Sequence, residues 1–159
     1  MARITTNTTG TQPVLEISVD TANVANAAMS VICLQDVTLT NSTGVYSYTT
    51  FCTTDMSKLS TPADNEISTN IVIDDENFFG NSAATANTAA YYGLSDISIN
   101  KIPVSWKLYY NGTDAGAYYS TGVGFITSLA PTVNPEAPVW VTPMTLAIDG
   151  DIVNGTVSA

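Results

Sequence analysis

Ile102-Pro103-Val104-Ser105-Trp106-Lys107-Leu108-Tyr109-Tyr110 alternates at period two, and two stretches behind it do the same. Ile102, Val104, Trp106, Leu108 and Tyr110 fall on one side, with Pro103, Ser105, Lys107 and Tyr109 between them. In the second stretch Tyr119, Val123, Phe125 and Leu129 share a face opposite Ser120, Gly122, Gly124 and Ser128. In the third, Trp140, Met144, Leu146 and Ile148 lie opposite Thr145 and Asp149. Successive Cβ atoms of a strand point to opposite faces, so this period is the pleat of a half-buried strand. The connectors agree. Asn111 to Gly116 is turn chemistry, and Pro131 to Pro138 cannot continue a ladder. The chain reads as a β protein that ends in an antiparallel meander.

Three more strands are expected upstream. Val14 to Asp20 sets Leu15, Ile17 and Val19 against Glu16 and Ser18. Val31 to Thr40 sets Val31, Cys33, Val37 and Leu39 against Asp36 and Thr38, and Glu66 to Asp74 sets Ile67, Ile71 and Ile73 against Ser68, Asn70 and Asp74. Between them, residues 41–65 carry no sustained period and read as a long hairpin loop with aromatic residues at its base. A loop of that length in a compact domain ordinarily has a task. Ala83 to Tyr92 is alanine-rich and reads as a helix, with Asn81 or Ser82 as its cap and Gly93 as its end. The expected fold is mainly β: an antiparallel β-sandwich or partial barrel of about six or seven strands with one short flanking α-helix. Residues 1–159 form one domain, with a flexible N-terminal arm over 1–13 and a C-terminal tail over 154–159.

Hydrophobic residues make up 45% of the chain and charged ones only 11%, well under the usual quarter. Thr, Ser and Asn stand in their place, a surface suited to repeated contacts because no charge need be desolvated. The net charge is −10, from 14 carboxylates against Arg3, Lys58, Lys101 and Lys107. Without clustered cations to neutralise phosphate, such a chain repels DNA rather than holding it. No apolar run reaches membrane-spanning length and no signal-type segment follows Met1, so neither a membrane nor export is expected. Cys33 and Cys52 are too few for a disulfide scaffold; Cys33 reads as a buried free thiol.

The chain contains no histidine, which removes the commonest general base and metal ligand together. Paired carboxylates are the remaining route to acid–base work. Asp74-Asp75-Glu76 is open to reading as a glycosidase-type pair or calcium ligands, but a solvated strand end fits better. Asp149-Gly150-Asp151 reads as a turn, and Gly122 and Gly124 as close backbone packing rather than a phosphate loop. Trp106 and Trp140 read as core rather than sugar-stacking platforms. No catalytic constellation, cofactor or metal site is expected.

Several motifs, taken in order, resemble the major tail tube proteins of bacteriophages of the long-tailed siphophage type. They are Leu34-Gln35-Asp36-Val37-Thr38-Leu39, the Thr-rich stretch Thr49 to Asp55, the strand Ile67 to Ile73, the Ala-rich helix and the closing pair Gly124 to Leu129 and Trp140 to Gly150. The resemblance implies a structural virion protein whose hexameric rings stack into a hollow tube, through which DNA passes into the host without specific binding. It implies assembly in the host cytoplasm, residence in the virion tail, and copies of itself and other tail proteins as partners. On that reading Asp36, Glu66 and Asp74 are candidate acidic residues of the lumen. The 41–65 loop becomes the contact between rings through Tyr46, Tyr48, Phe51, Asp55 and Lys58. Competing readings are a secreted β-sandwich binding or adhesin module, and another virion component such as a decoration or tail-terminator protein.

Overall fold

The computed structural model describes residues 12–21, 24–49 and 55–158. In chain order they form β1 (Val14–Thr21), β2 (Val24–Ala25), β3 (Met29–Val31), β4 (Leu34–Thr40), β5 (Gly44–Tyr48), β6 (Ser57–Thr61) and β7 (Glu66–Val72). Two helices follow, α1 (Asp75–Phe79) and α2 (Ala89–Ile99), then β8 (Val104–Tyr109), β9 (Tyr118–Leu129), β10 (Thr132–Asn134) and β11 (Ala137–Thr156). Every pairing is antiparallel. One sheet runs β2-β1-β8-β9-β11-β7-β4, with β3 also on β1 and β10 on β11, while β5 and β6 pair only with each other. The mainly β, antiparallel expectation holds, with a second helix added.

The sheet is forced to curl. β3 pairs with β1 at one edge and β4 lies at the other, yet only Ile32 and Cys33 separate them. Three extended Cα steps reach at most about 11 Å, so the two edges stand close without sharing a ladder. Residues 31–40 are therefore not the single strand expected. Cys33 takes a left-handed φ of 58° at the crossing and gives its carbonyl to the Val72 N–H. Its side chain is exposed, not buried, because the crossing lies outside both faces of the sheet. Cys52 lies outside the described residues.

Leu15, Ile17 and Val19 of β1, Val104, Trp106 and Leu108 of β8, Ile67 and Ile71 of β7, and Met144 and Leu146 of β11 fill the interior of the curl. The face of β9 is the reverse of the expected one. Ser120, Gly124 and Ile126 are buried while Phe125 is exposed. Gly122 pairs with Trp106, and a Cβ there would sit 3.1 Å from the indole ring; at Gly124 it would come 2.9 Å from the Leu146 side chain. The small residues face inward because their neighbours across the ladder already fill the space. Thr127 is the extra residue of a bulge between Ile126 and Ser128, which returns Leu129 to the interior.

α1 and α2 close one end. Asp74 caps α1, its side chain accepting the Asn77 N–H at 3.2 Å, and Asp75 and Glu76 occupy the first turn, where the helix dipole favours carboxylates. The long helix is shifted from the expected Ala83 to Tyr92. Residues 83–88 form turns, with Asn87 left-handed (φ 64°), and the helix runs on past Gly93 to Ile99, burying Leu94 and Ile97. Gly93 (φ 69°) is a kink rather than an end. Its backbone crosses that of Gly80, so a Cβ there would fall 2.3 Å from the Gly80 nitrogen.

The antiparallel order defines two poles. Thr40, Glu66 and Ala147 lie side by side where the β5–β6 arm leaves the body. Val72 and Val141 pair at the far end, beside α1 and the β10–β11 hairpin. Six strand residues separate the poles by about 20 Å. Replacing Gly124 with Ala drives a Cβ to 2.2 Å from the Ala147 carbonyl oxygen. Urea denaturation should show a loss of about 1–3 kcal/mol for Gly124→Ala. The exposed Ser128→Ala on the same strand should stay within ~0.5 kcal/mol; equal effects would contradict this packing.

Candidate assembly surfaces

The arm at residues 41–65 is a hairpin, as its length and aromatic content suggested, but a free-standing one. Val45 pairs with Ser60, Tyr46 with Leu59, Ser47 with Lys58 and Tyr48 with Ser57, with no third strand among the described residues. Alternation puts Tyr46, Tyr48 and Leu59 on one face of the ribbon and Val45 and Lys58 on the other. The Tyr46 and Tyr48 rings stack with centroids 6.2 Å apart. Tyr46 is 59% exposed and Leu59 55%, and Asp55 and Lys58 are exposed as well. Phe51 lies outside the described residues. The root is pinned: the Ser42 N–H donates to Asn65 Oδ1 at 2.9 Å and the Ser42 hydroxyl to the Asp64 carbonyl at 3.1 Å. A two-strand ribbon is marginal in water on its own, so one that leaves its apolar side chains outside is built to meet something.

The second surface is the outer face of β4, β7, β11 and β9. Register places Thr38, Ser68, Thr145 and Ser128 in one row, and Thr40, Glu66, Ala147 and Phe125 in the next. Asp36 lies beside Asn70 and then Pro143 in a third row. Asp149 continues the same face of β11, opposite Val123. None of these four strands contains a Lys or Arg. Asp36 is held in place: its carboxylate accepts the Asn70 N–H at 2.8 Å and the Asn70 Nδ2 at 2.7 Å. The Thr69 hydroxyl donates to the Asp36 carbonyl from the inner side, which steadies the bulge between Leu34 and Asp36.

Of the three acidic candidates, Asp36 and Glu66 therefore share one face, whereas Asp74 stands beyond the strand with its carboxylate on the N-cap of α1. Asp149, not among the candidates, joins them; its place opposite the apolar side of its strand was the available signal. None of the described lysines is carried on these four strands. Lys107 projects from β8 on the same outer side, its Nζ 4.2 Å from the centre of the Tyr119 ring of β9 and beside its cross-strand neighbour Glu16, and Lys101 follows α2.

Two further features bear on assembly. The outer side of β4 has no ladder partner among the described residues, and an open groove of about 810 Å³ runs along the seam between β4 and the β1–β3 edge. Trp140 corrects the sequence reading: Trp106 is 1% exposed, but Trp140 is 53% exposed. Its position is in phase with Met144 and Leu146. At that end, however, β11 pairs with β10 beyond the reach of the facing strands, so the inward-phase side chain meets no opposing layer.

No protein-family model matches the chain, and no curated protein matches it in sequence. Solved structures do match in shape. A chain in the tail of an empty gene transfer agent particle, determined with helical refinement and C6 symmetry, superposes with a TM-score of 0.60 at 12% identity, covering 87% of this chain and 93% of that one. The SPP1 tail tube gives 0.59 at 9% identity, covering 98% and 81%. A chain of the sheath–tube complex of an extracellular contractile injection system, PVC, gives 0.58 at 15% identity, covering 92% and 89%. The chain has the tail-tube fold. Among the described residues, the β4 edge without a ladder partner, the four strands without Lys or Arg and the projecting arm all lie outside the core.

Asp36→Ala should speed hydrogen exchange at the Asn70 amide and cost about 1 kcal/mol in thermal or urea unfolding, since one acceptor set is lost at an exposed site. Glu66→Gln, which breaks no described bond, should do neither. An unchanged Asn70 amide in the Asp36 variant would show that the bracket does not form.

Proposed function

We propose that the chain is the structural subunit of a phage-type tail tube, a virion protein whose rings, taken as hexameric, stack into a conduit for DNA. The observation that carries this reading is a polar face of four strands without Lys or Arg, built on a sheet of tail-tube fold whose last strand has no ladder partner on its outer side among the described residues. Pairing that edge with a neighbouring copy extends the ladder from subunit to subunit and removes the exposed edges that otherwise aggregate. The face of Ser, Thr and Asn with Asp36, Glu66 and Asp149 then lines the lumen. The six-fold symmetry of the gene transfer agent tail supports the ring number.

A polyanion in such a channel meets hydroxyls and carboxylates, with no Lys or Arg on the four strands that line it. Screening over about 8 Å at physiological salt confines the repulsion to charges at the wall itself. DNA is passed rather than held, in contrast to surfaces that release counterions through Lys and Arg. Asp74 has no part at the wall because α1 has taken its carboxylate. The arm bridges one ring to the next through Tyr46, Tyr48 and Leu59, with Phe51, Asp55 and Lys58 on the same segment. Copies of this chain and other tail proteins are its partners, in the virion tail after assembly in the host cytoplasm. No enzymatic step is part of this role.

Negative-stain electron microscopy of the concentrated protein should show rings or tubes with a stain-filled hole. Deleting residues 53–63 should leave a folded subunit that makes no tubes. Tubes carrying Asp36→Lys and Glu66→Lys should retain labelled duplex DNA at low salt and release it at high salt, while unaltered tubes retain none. Discrete particles without rings at any concentration would point instead to a binding module, and closed single rings to a terminator-like component.

A further inference from the structure

Residues 1–11 lie outside the described residues, but the described chain begins inside the seam. Gln12 and Val14 stand on one wall of the seam groove, and Leu34, Gln35 and Asp36 of β4 on the other. The ladder between β1 and β3 sets a register: Ile17 pairs with Met29, Glu16 with Ser30 and Leu15 with Val31. Every step around the sheet from β1 through β8, β9, β11 and β7 to β4 is antiparallel, and their number makes β4 antiparallel to β1 as well. Carried on past Val31, the β1–β3 register sets Gln12 against Leu34, Gly10 against Asp36, Thr8 against Thr38 and Thr6 against Thr40.

Pro13 has no N–H to give a ladder. In this register it falls opposite Cys33, where the chain crosses left-handed and the carbonyl is already taken by the Val72 N–H. On the other side the chain is still bonded to the sheet at Gln12, whose carbonyl accepts the Gly112 N–H at 3.0 Å. Upstream, Thr5-Thr6-Asn7-Thr8-Thr9-Gly10-Thr11 holds neither charge nor proline, and threonine suits a pleated backbone. Gly10 sets no side chain beside Asp36, whose carboxylate is already held by Asn70.

We infer that residues 5–11 continue β1 and pair antiparallel with the free edge of β4 of the same chain, closing the sheet in the free subunit. Six extended residues span about 20 Å, close to the length of the seven-residue β4. The segment leaves from the groove itself, so its own edge is at hand while a second copy has to arrive from solution. An extended segment added to a sheet edge satisfies the ladder groups that otherwise invite indiscriminate pairing. Residues 5–11 bring no large apolar side chain, so their hold rests on backbone hydrogen bonds, and a neighbour's strand displaces them during assembly. Only that exchange rests on the edge pairing proposed above; the closure stands without it.

The test is a register-specific disulfide in the full chain, in solution too dilute for assembly. With Cys33→Ser and Cys52→Ser removing the native thiols, Thr8→Cys and Thr38→Cys should oxidise to a bridge within one chain, read by mass spectrometry on mixed light and heavy isotope-labelled protein. Thr8→Cys with Thr145→Cys, two strands further along the same row, should give none. In parallel, deleting residues 2–10 should speed hydrogen exchange about tenfold or more at the alternate β4 amides that point away from β7, with β8 unchanged. Bridges only between copies, no preference for Thr38 over Thr145, or β4 exchange that the deletion leaves alone would overturn the closure. Should the shortened chain lose its β8 protection, the bridge alone decides. Oxidation should also block tubes and reduction restore them, because the neighbour needs the same edge. Tubes from the bridged chain would leave the closure standing and remove the shared ladder from the proposed assembly.

Discussion

The two-residue step through Ile32 and Cys33 is the constraint on which the rest of the structure depends. It ties the strand at one edge of a seven-strand path to the strand at the other, so the sheet has to wrap. Wrapping creates the enclosed volume that Trp106, Leu146 and their neighbours fill. It also leaves a seam where β4 and the β1–β3 edge approach without bonding. Two residues would suffice for a tight hairpin, but the chain crosses the seam at the left-handed Cys33 and β4 pairs with β7 instead of folding back on β3. A much longer step would let the sheet lie open. The observed length gives a packed core together with an unused edge, the combination a subunit needs if its sheet is to continue in a neighbour.

The core then dictates details that hydrophobicity alone hides. Strand β8 was legible because its large residues point inward and nothing disturbs their phase. Strand β9 misled because its large residues point outward: the inner side is reserved for glycine and serine by the bulk of Trp106 and Leu146 across the ladder. Alternation reveals that a strand has two faces. It does not reveal which face has room, since room is a property of the strands beside it. Trp140 failed for a related reason, being correct in phase but placed where the facing layer has run out. The helix was displaced because alanine content marks helical tendency, whereas the actual boundaries come from the left-handed Asn87, the kink at Gly93 and the burial of Leu94 and Ile97.

The candidate surfaces were legible to different degrees for the same reason. The arm announced itself by length and by aromatic residues without a period, and it emerges as an exposed hairpin. Asp36 and Glu66 were individually visible as polar positions of apolar strands, but their sharing of a face is created by the β4–β7 register, which neither strand encodes alone. Asp74 had the same polar phase and lost it to capping: a carboxylate one step before a helix satisfies an N–H that otherwise has no partner. Asp149 was in phase throughout and needed only the β7–β11–β9 pairing to join the others.

The sparse charge follows from what these surfaces do. In the proposed tube almost every outward face meets either a neighbouring copy or the passing polyanion, and a buried cation is costly in the first setting and adhesive in the second. Short hydroxyl and amide side chains avoid both, since each can exchange hydrogen bonds with water or with a neighbour at little net cost. The described lysines are not carried on the four strands of the polar face. Lys107 lies at the β8–β9 border of that face, against the Tyr119 ring and beside its cross-strand neighbour Glu16, whose carboxylate partly offsets its charge. Lys58 is carried out on the arm, off the body of the sheet. The same residue near Asp36 or Glu66 would cancel the repulsion on which the proposed conduit relies. In the proposed tube, the placement of single lysines matters more than the net charge of −10.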